Sequence, residues 1–282
     1  MGNIGASEII TKEPLYKRFE LSSLDYSEII EIIFYEGFVD CFCPYCGKSS
    51  IFSGKLDVNQ QQEKVNTQFS LSSFPGGGGG GGTVKIFQKP ELYSLNFYCS
   101  RHTNHILNVV YKIENGSLTK IGQSPSLFEI QRGVFKKYKT VLGENYNDLY
   151  NSIMFYSSHF GVAAFAHLRR ILENYFMRMA HEQCKKESNW NEKQFREARF
   201  IEKLELLKNN LPETLIQNPR IYSIISKGIH ELSEEECLLY FEAVKECVFL
   251  CLDDTIEENR RIKSKENIKT ELSRIDNKLN NK

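Results

Sequence analysis

The sequence predicts an α+β protein, with a β-rich front part followed by an all-helical back part. Three observations carry this. Up to about residue 122, short runs of β-forming residues are bounded by Gly, Pro, Asn and Ser. Beyond it, apolar residues recur every three or four positions almost without interruption. Within the front part, Cys43, Cys46 and Cys99, with His102 and His105, have the residue types and spacing of a four-donor metal site.

The bulk numbers bound the rest. A chain of 282 residues is long for one domain and comfortable for two. Hydrophobic residues make up 41% and charged residues 26%, ordinary for a globular protein. Lys+Arg and Asp+Glu are both 36, so a globally basic field is excluded and any nucleic-acid footprint is a local patch. No apolar run approaches the roughly 18 residues that span a bilayer, and the start lacks the pattern of a signal peptide. A cytoplasmic protein without a membrane partner is expected. Its eight Cys are then thiols or metal ligands rather than disulfides.

Taken in order, residues 1–37 read as a helical or extended lead-in. Residues 38–122 read as the β-domain, with strands expected in "SSIFSGKL" (49–56), "TQFSLSSF" (67–74), "TVKIFQK" (83–89), "ELYSLNFYC" (91–99) and "ILNVVYKI" (106–113). The tract at 75–82, Pro followed by seven Gly, reads as a loop between two strands, because ordering it costs maximal backbone entropy and buries nothing. A phosphate-binding loop would need Lys and Ser or Thr opening a helix after it, and "TVKIF" does not supply that. At the junction, Pro125 and Ser126 suit a helix start. Residues 123–262 read as a bundle, with helices at about 126–141, 145–158, 161–187, 191–210, 218–227 and 233–262. In 161–187 the apolar face is Val162, Phe165, Leu168, Leu172, Tyr175, Phe176 and Met179. Gly228 reads as the end of one helix, and Ser233 with Glu236 as the capping box of the next. Residues 263–282 form a charged amphipathic tail, in which Ile268, Leu272, Ile275 and Leu279 are spaced four, three and four apart.

The Cys–Pro–Tyr–Cys–Gly stretch at 43–47 has the shape of a metal knuckle: two thiolates reach one ion across a turn that Gly47 permits. Cys99 and a following His supply the second pair. Either His102 or His105 completes a Cys₃His set for a structural Zn²⁺ ion. Cys41 would overfill the shell and reads as a small buried residue. A redox Cys–x–x–Cys would open a helix, whereas β-like segments follow here. A catalytic zinc would want an open position and a nearby carboxylate, and "CSRHTNH" holds no acid. The 52 residues between Cys46 and Cys99 exceed the usual gap of about 15–20, and the Gly tract with its flanks accounts for the excess as an insertion.

In the back part, Arg169 and Glu173 are one turn apart and Arg170 is three before Glu173. Lys227, His230 and Glu231 sit on a tight helix–helix connection. His159 and His167 read as structural, and His181 and Cys184 as surface residues. The runs "KIGQSPSLFEI", "HLRRILENYF", "IEKLELLKNNLP" and "IYSIISKGIHELSEEECL" resemble a bacterial family with an N-terminal zinc ribbon and a C-terminal helical domain, over roughly residues 38–255. That helical domain is similar to HEPN bundles. The resemblance implies Cys99, Arg101 and His105 as the second knuckle, so His105 as the fourth ligand. It implies a homodimer that binds nucleic acid or a protein partner in prokaryotic antiphage defence or stress response. It also implies two alternatives. One is a metal-independent ribonuclease acting on RNA, with His230 as base, Lys227 or Arg170 on the phosphate, and Glu173 beside them. The other is a non-enzymatic scaffold subunit of a defence complex. Active HEPN ribonucleases place Arg and His a few residues apart on one helix face. Here Arg220 stands ten residues before His230.

Overall fold

The computed structural model describes residues 5–72 and 90–280. The chain divides into two units: residues up to Lys137 together with Ile153–Phe160, and Tyr138–Ser152 together with Gly161 onward. The α+β class is as expected.

The first unit is built on a six-stranded antiparallel sheet. Its strands are β1 (Arg18–Glu20), β2 (Phe38–Cys43), β3 (Lys48–Lys55), β4 (Glu91–Cys99), β5 (Ile106–Glu114) and β6 (Ser117–Ser124), in the order β1-β6-β5-β4-β3-β2. Period-two patterning sorts the faces. Val39, Phe52, Leu95, Phe97, Leu107, Val109, Tyr111 and Leu118 are buried on one side, and their neighbours in sequence stand on the other. The buried side is covered by α1 (Ala6–Thr11) and α2 (Tyr26–Ile33), whose Ile9, Ile10, Ile29 and Ile33 are also buried. Asp25 and Glu28 form the capping box that starts α2. α4 (Leu127–Phe135) starts at Ser126, which accepts from the Glu129 amide while the Glu129 carboxylate accepts from the Ser126 amide.

Two expectations change in this unit. The stretch 67–72, expected as a strand, is the end of α3 (Val58–Ser72). Asp57 and Gln60 bond each other's backbone amides at its start, and the run that follows is rich in Gln, Glu and Lys, which favour helix. The strand at 117–124 was not anticipated; it is paired by a tight turn in which Asn115 and Gly116 both have positive φ. The Gly tract at 75–82 and the strand expected at 83–89 lie outside the described residues.

Lys120 on β6 is fully buried. Its Nζ donates to the carbonyls of Ile9 (2.9 Å) and Ile10 (3.5 Å) near the end of α1, and to Gln123 Oε1 (2.9 Å). The ammonium thus satisfies carbonyls that the short helix leaves without partners.

The second unit is helical. It contains α5 (Lys139–Leu142), the start of α6 (Tyr146–Ser157), α7 (Gly161–Ile171), α8 (Arg178–Cys184), α9 (Glu192–Glu197), α10 (Phe200–Leu207), α11 (Glu213–Gln217), α12 (Arg220–His230) and α13 (Glu234–Asn280). α7 packs on both α12 and α13. Phe165, Leu168, Ile171, Ile225, Phe241, Val248 and Leu252 form the buried centre. Ser233 and Glu236 make the expected capping box at the start of α13. The Glu234 carboxylate accepts from the amides of Gly161 and Val162, satisfying the open end of α7.

The helix expected at 161–187 carries a π-helical turn at Leu172–Met177. The extra residue rotates the apolar face by one position, so Ala180 and Cys184 are buried after it while Met179 is exposed. Gly228 does not end its helix, which continues to His230. A Cβ at 228 would stand 2.2 Å from Phe165 Cδ1, so glycine is there to let that ring in. Cys184 is buried, and the Asn210 amide donates to its sulfur at 3.2 Å. His181 is largely enclosed, stacked 4.1 Å from the Phe195 ring and bonded to Glu192 at 2.9 Å. The expected tail is continuous with α13, a 47-residue helix. Among the described residues, no helix is long and apolar enough to cross a membrane.

Two measurements check this packing. Gly228→Ala is expected to destabilise the protein by about 1–3 kcal/mol, because Phe165 is enclosed and must move; thermal denaturation reads it. Burial pushes the Lys120 ammonium down to about pKa 7 against an ordinary value of 10.5, with Glu13 opposing the shift. The unfolded chain therefore holds the extra proton between these values, and stability rises with pH from about 7 toward 10.5. Lys120→Met flattens that part of the stability profile, measured by denaturant unfolding across the range.

Candidate metal centre

The two Cys knuckles come together because of strand pairing. Cys43 ends β2, and Cys46 lies in the turn that leads into β3. Cys99 ends β4, and His105 precedes β5. β3 pairs with β4, placing Phe52 opposite Cys99, so both hairpin tips lie at one end of the sheet. The first turn is held by the Gly47 amide donating to the Cys43 carbonyl at 2.9 Å, with Gly47 at φ +66°. The second is held by Cys99 N–H to His105 O (3.0 Å) and His105 N–H to His102 O (2.9 Å).

The ligand atoms of Cys43, Cys46, Cys99 and His105 all lie within 4.8 Å of one another. Cys46 Sγ is 3.8 Å from Cys99 Sγ and 3.3 Å from His105 Nδ1, and Cys43 Sγ is 3.8 Å from the same nitrogen. A tetrahedron with metal–sulfur bonds of about 2.3 Å has sulfur–sulfur edges of about 3.8 Å, so these separations suit one ion at the centre. His105 is the His that joins this set; His102 is exposed, with its ring 5.1 Å from the His105 ring. Cys41 stays outside the set, half-buried, and burial pushes its thiol up to about 12.

The surroundings favour thiolate at this place. Burial raises the Cys99 thiol, but the Ser50 hydroxyl and the backbone amides of His102 and Arg101 outweigh it and bring it down to about 6. Ser50 Oγ lies 3.1 Å from Cys99 Sγ, and the Cys46 amide donates to Cys43 Sγ at 3.4 Å. Burial, together with the neighbouring sulfurs Cys43 and Cys99, pushes the Cys46 thiol up to about 11. Three sulfurs this close cannot all ionise without a cation among them, and a divalent ion removes that conflict. With four protein donors, its shell would be full. The ring of Tyr45 packs 5.1 Å from His105 on the outer side.

The residues suggested for the helical part have separate partners. Arg170 Nε stands 3.3 Å from Asp148 Oδ1, and Lys227 is 3.7 Å from Glu231. Glu173 bonds Arg169 at 2.8 Å and accepts from the Tyr222 hydroxyl at 2.7 Å. His230 is exposed at the end of α12. Asp148, which the sequence did not single out, is buried and also bonds His167 Nδ1 at 2.8 Å. Its only sequence signal is that it is the one acid in α6.

Metal analysis of single variants checks the ligand set. Cys99→Ser and His105→Ala are expected to lose most of the bound ion, while His102→Ala retains it at one ion per chain. Retention in His105→Ala with loss in His102→Ala would reverse the assignment.

No protein-family model, no curated protein and no solved structure matches this chain.

Proposed function

We propose that this protein is a zinc-stabilised nucleic-acid-binding protein, in which a ribbon-like β-unit holds single-stranded RNA or DNA on the open face of its sheet. Three thiolates and one imidazole suit zinc, and a full shell suits a structural ion rather than a catalytic one. The observation that carries the binding reading is one lateral row of that sheet. Phe38, Ser53, Tyr98 and Ile106 are successive cross-strand neighbours on β2, β3, β4 and β5. Phe38 is 68% exposed, and the row faces away from the core. Phe38 and Tyr98, two strands apart, are separated by about 10 Å.

The next row holds Lys55, Asn96 and Asn108. Lys55 Nζ lies 5.6 Å from the centre of the Tyr98 ring, and Arg101 is exposed at the opposite, knuckle end of these strands. Aromatic faces for stacking, amides for base edges and cations at both ends are what a single strand needs. A local arrangement of this kind is compatible with zero net charge, since the phosphates respond to nearby cations. The helical unit, HEPN-like by resemblance, would serve such a protein as a dimerising partner module. The same resemblance alone assigns the work to prokaryotic antiphage defence or stress response.

One observation favours a second reading, RNA cleavage in the helical unit. The Asp148 carboxylate orients His167 and also meets Arg170, which pairs an imidazole base with a cation on one helix face. Loss of RNA cleavage in His167→Ala, with cleavage kept in His230→Ala, would support it.

Fluorescence anisotropy with labelled oligouridine and oligothymidine tests the first reading. Phe38→Ala and Tyr98→Ala are each expected to weaken binding by about 5- to 150-fold, as for loss of about 1–3 kcal/mol per stacked base. Lys55→Ala is expected to reduce the salt dependence by about 0.7 in log–log slope. Chelation of the metal abolishes binding together with the β-unit's cooperative unfolding. Wild-type protein that binds neither oligonucleotide would sink the proposal.

A further inference from the structure

Beyond Ile256, α13 leaves its core behind: every described residue from Glu257 to Asn280 is exposed. The stretch is nevertheless two-faced. Ile268, Leu272, Ile275 and Leu279 are 60%, 60%, 51% and 66% exposed, and their spacing puts them in one stripe. The far side carries Asn267, Thr270, Ser273, Arg274 and Asn277, all polar. In heptad terms Ile268 and Ile275 occupy d positions, and Leu272 and Leu279 occupy a positions. Lys269 and Asp276 then fall at e, and Glu271 and Lys278 at g.

We infer that this stripe is a self-association surface, on which the same segment of a second copy of the chain lies antiparallel. Apolar matching sets the register. Leu272 stands opposite Ile275 and Ile268 opposite Leu279, giving four apolar layers about a two-fold axis. A shift by one heptad in one direction sets Lys265 against Ile275, and in the other it leaves only Ile275 and Leu279 paired among the described residues. Charge sets the direction. In an antiparallel pair e faces e and g faces g, so Lys269 meets Asp276 and Glu271 meets Lys278, each twice. In a parallel pair g faces the next e, and Glu271 would meet Asp276 twice, like against like. The segment is therefore complementary to itself in one direction and repulsive in the other. The surface is separate from both the metal centre and the open sheet face, so it stands whether or not nucleic acid binds there.

Four layers make a short contact, and the dimer is expected to depend on concentration. Sedimentation velocity of the full, metal-loaded chain from low to high micromolar concentration reads it, with mass moving from one chain to two. Leu272→Asp and Ile275→Asp are each expected to weaken association about tenfold or more, since a charge replaces a buried apolar side chain. Circular dichroism and metal content confirm that each variant is folded. Asp276→Lys decides direction. It weakens the antiparallel pair by setting two lysines face to face, and the double variant Lys269→Asp/Asp276→Lys restores it. In a parallel pair the same Asp276→Lys change would instead tighten association. A single mass at every concentration overturns the proposal, as does a dimer indifferent to Leu272→Asp or one tightened by Asp276→Lys. A chain that stays single in solution but binds phosphatidylserine vesicles through this helix also overturns it.

Discussion

The antiparallel pairing of β3 with β4 is the contact on which the β-unit depends. It sets Phe52 opposite Cys99 and thereby carries two knuckles, distant in sequence, to one end of the sheet. Closing so long a connection costs loop entropy, which grows slowly with length but must be met before any contact between the ends is rewarded. The ladder hydrogen bonds and the buried Phe52, Phe97, Leu95 and Val109 offset part of that cost. An ion held by sulfurs and an imidazole from both knuckles would offset more, because such a site exists only in the folded chain.

The same pairing has a consequence on the other side of the sheet. Because side chains alternate along a strand, the register that buries Phe52 and Phe97 also lines up Ser53 with Tyr98 on the outer face. Core and candidate binding face are thus two readings of one register. A slip by one residue would bury Tyr98 and expose Phe97, and it would separate Cys99 and His105 from Cys43 and Cys46. A metal ion held there would guard the register, since it would tolerate only the pairing that brings its donors within reach.

The helical unit is held by close approach rather than by a clip. Phe165 fills the space beside Gly228, and the Glu234 carboxylate sits on the open amides of α7. Polar side chains there pair in small local groups, such as Asp148 with His167 and Arg170, and Glu173 with Arg169 and Tyr222. The π-helical turn before α8 shows how one extra residue redirects a helix face. Met179 continues the three-four spacing but points outward, and Cys184 points in. α13 runs from this packed environment into one where its apolar stripe is exposed.

Much was legible in the sequence alone. The Cys–x–x–Cys knuckle, the later Cys and His, the helix start at Ser126, the capping box at Ser233, and the change from strand to helix all depend on local spacing, and local spacing is written in the chain. The strand at 117–124 is absent from the sequence reading, although Asn115–Gly116, a turn pair with a known conformational preference, signals its hairpin. Other features belong to the tertiary structure. Whether His102 or His105 joins the sulfurs depends on where β5 begins relative to Cys99. Whether 67–72 is helix or strand depends on a cap ten residues earlier. The glycine at 228 looks like a helix end until the ring of Phe165 is seen filling its place. Asp148 gains its partners only when another helix crosses it. For Gly228 and Asp148 the deciding contact joins residues far apart in sequence, and no local pattern encodes a distance between them.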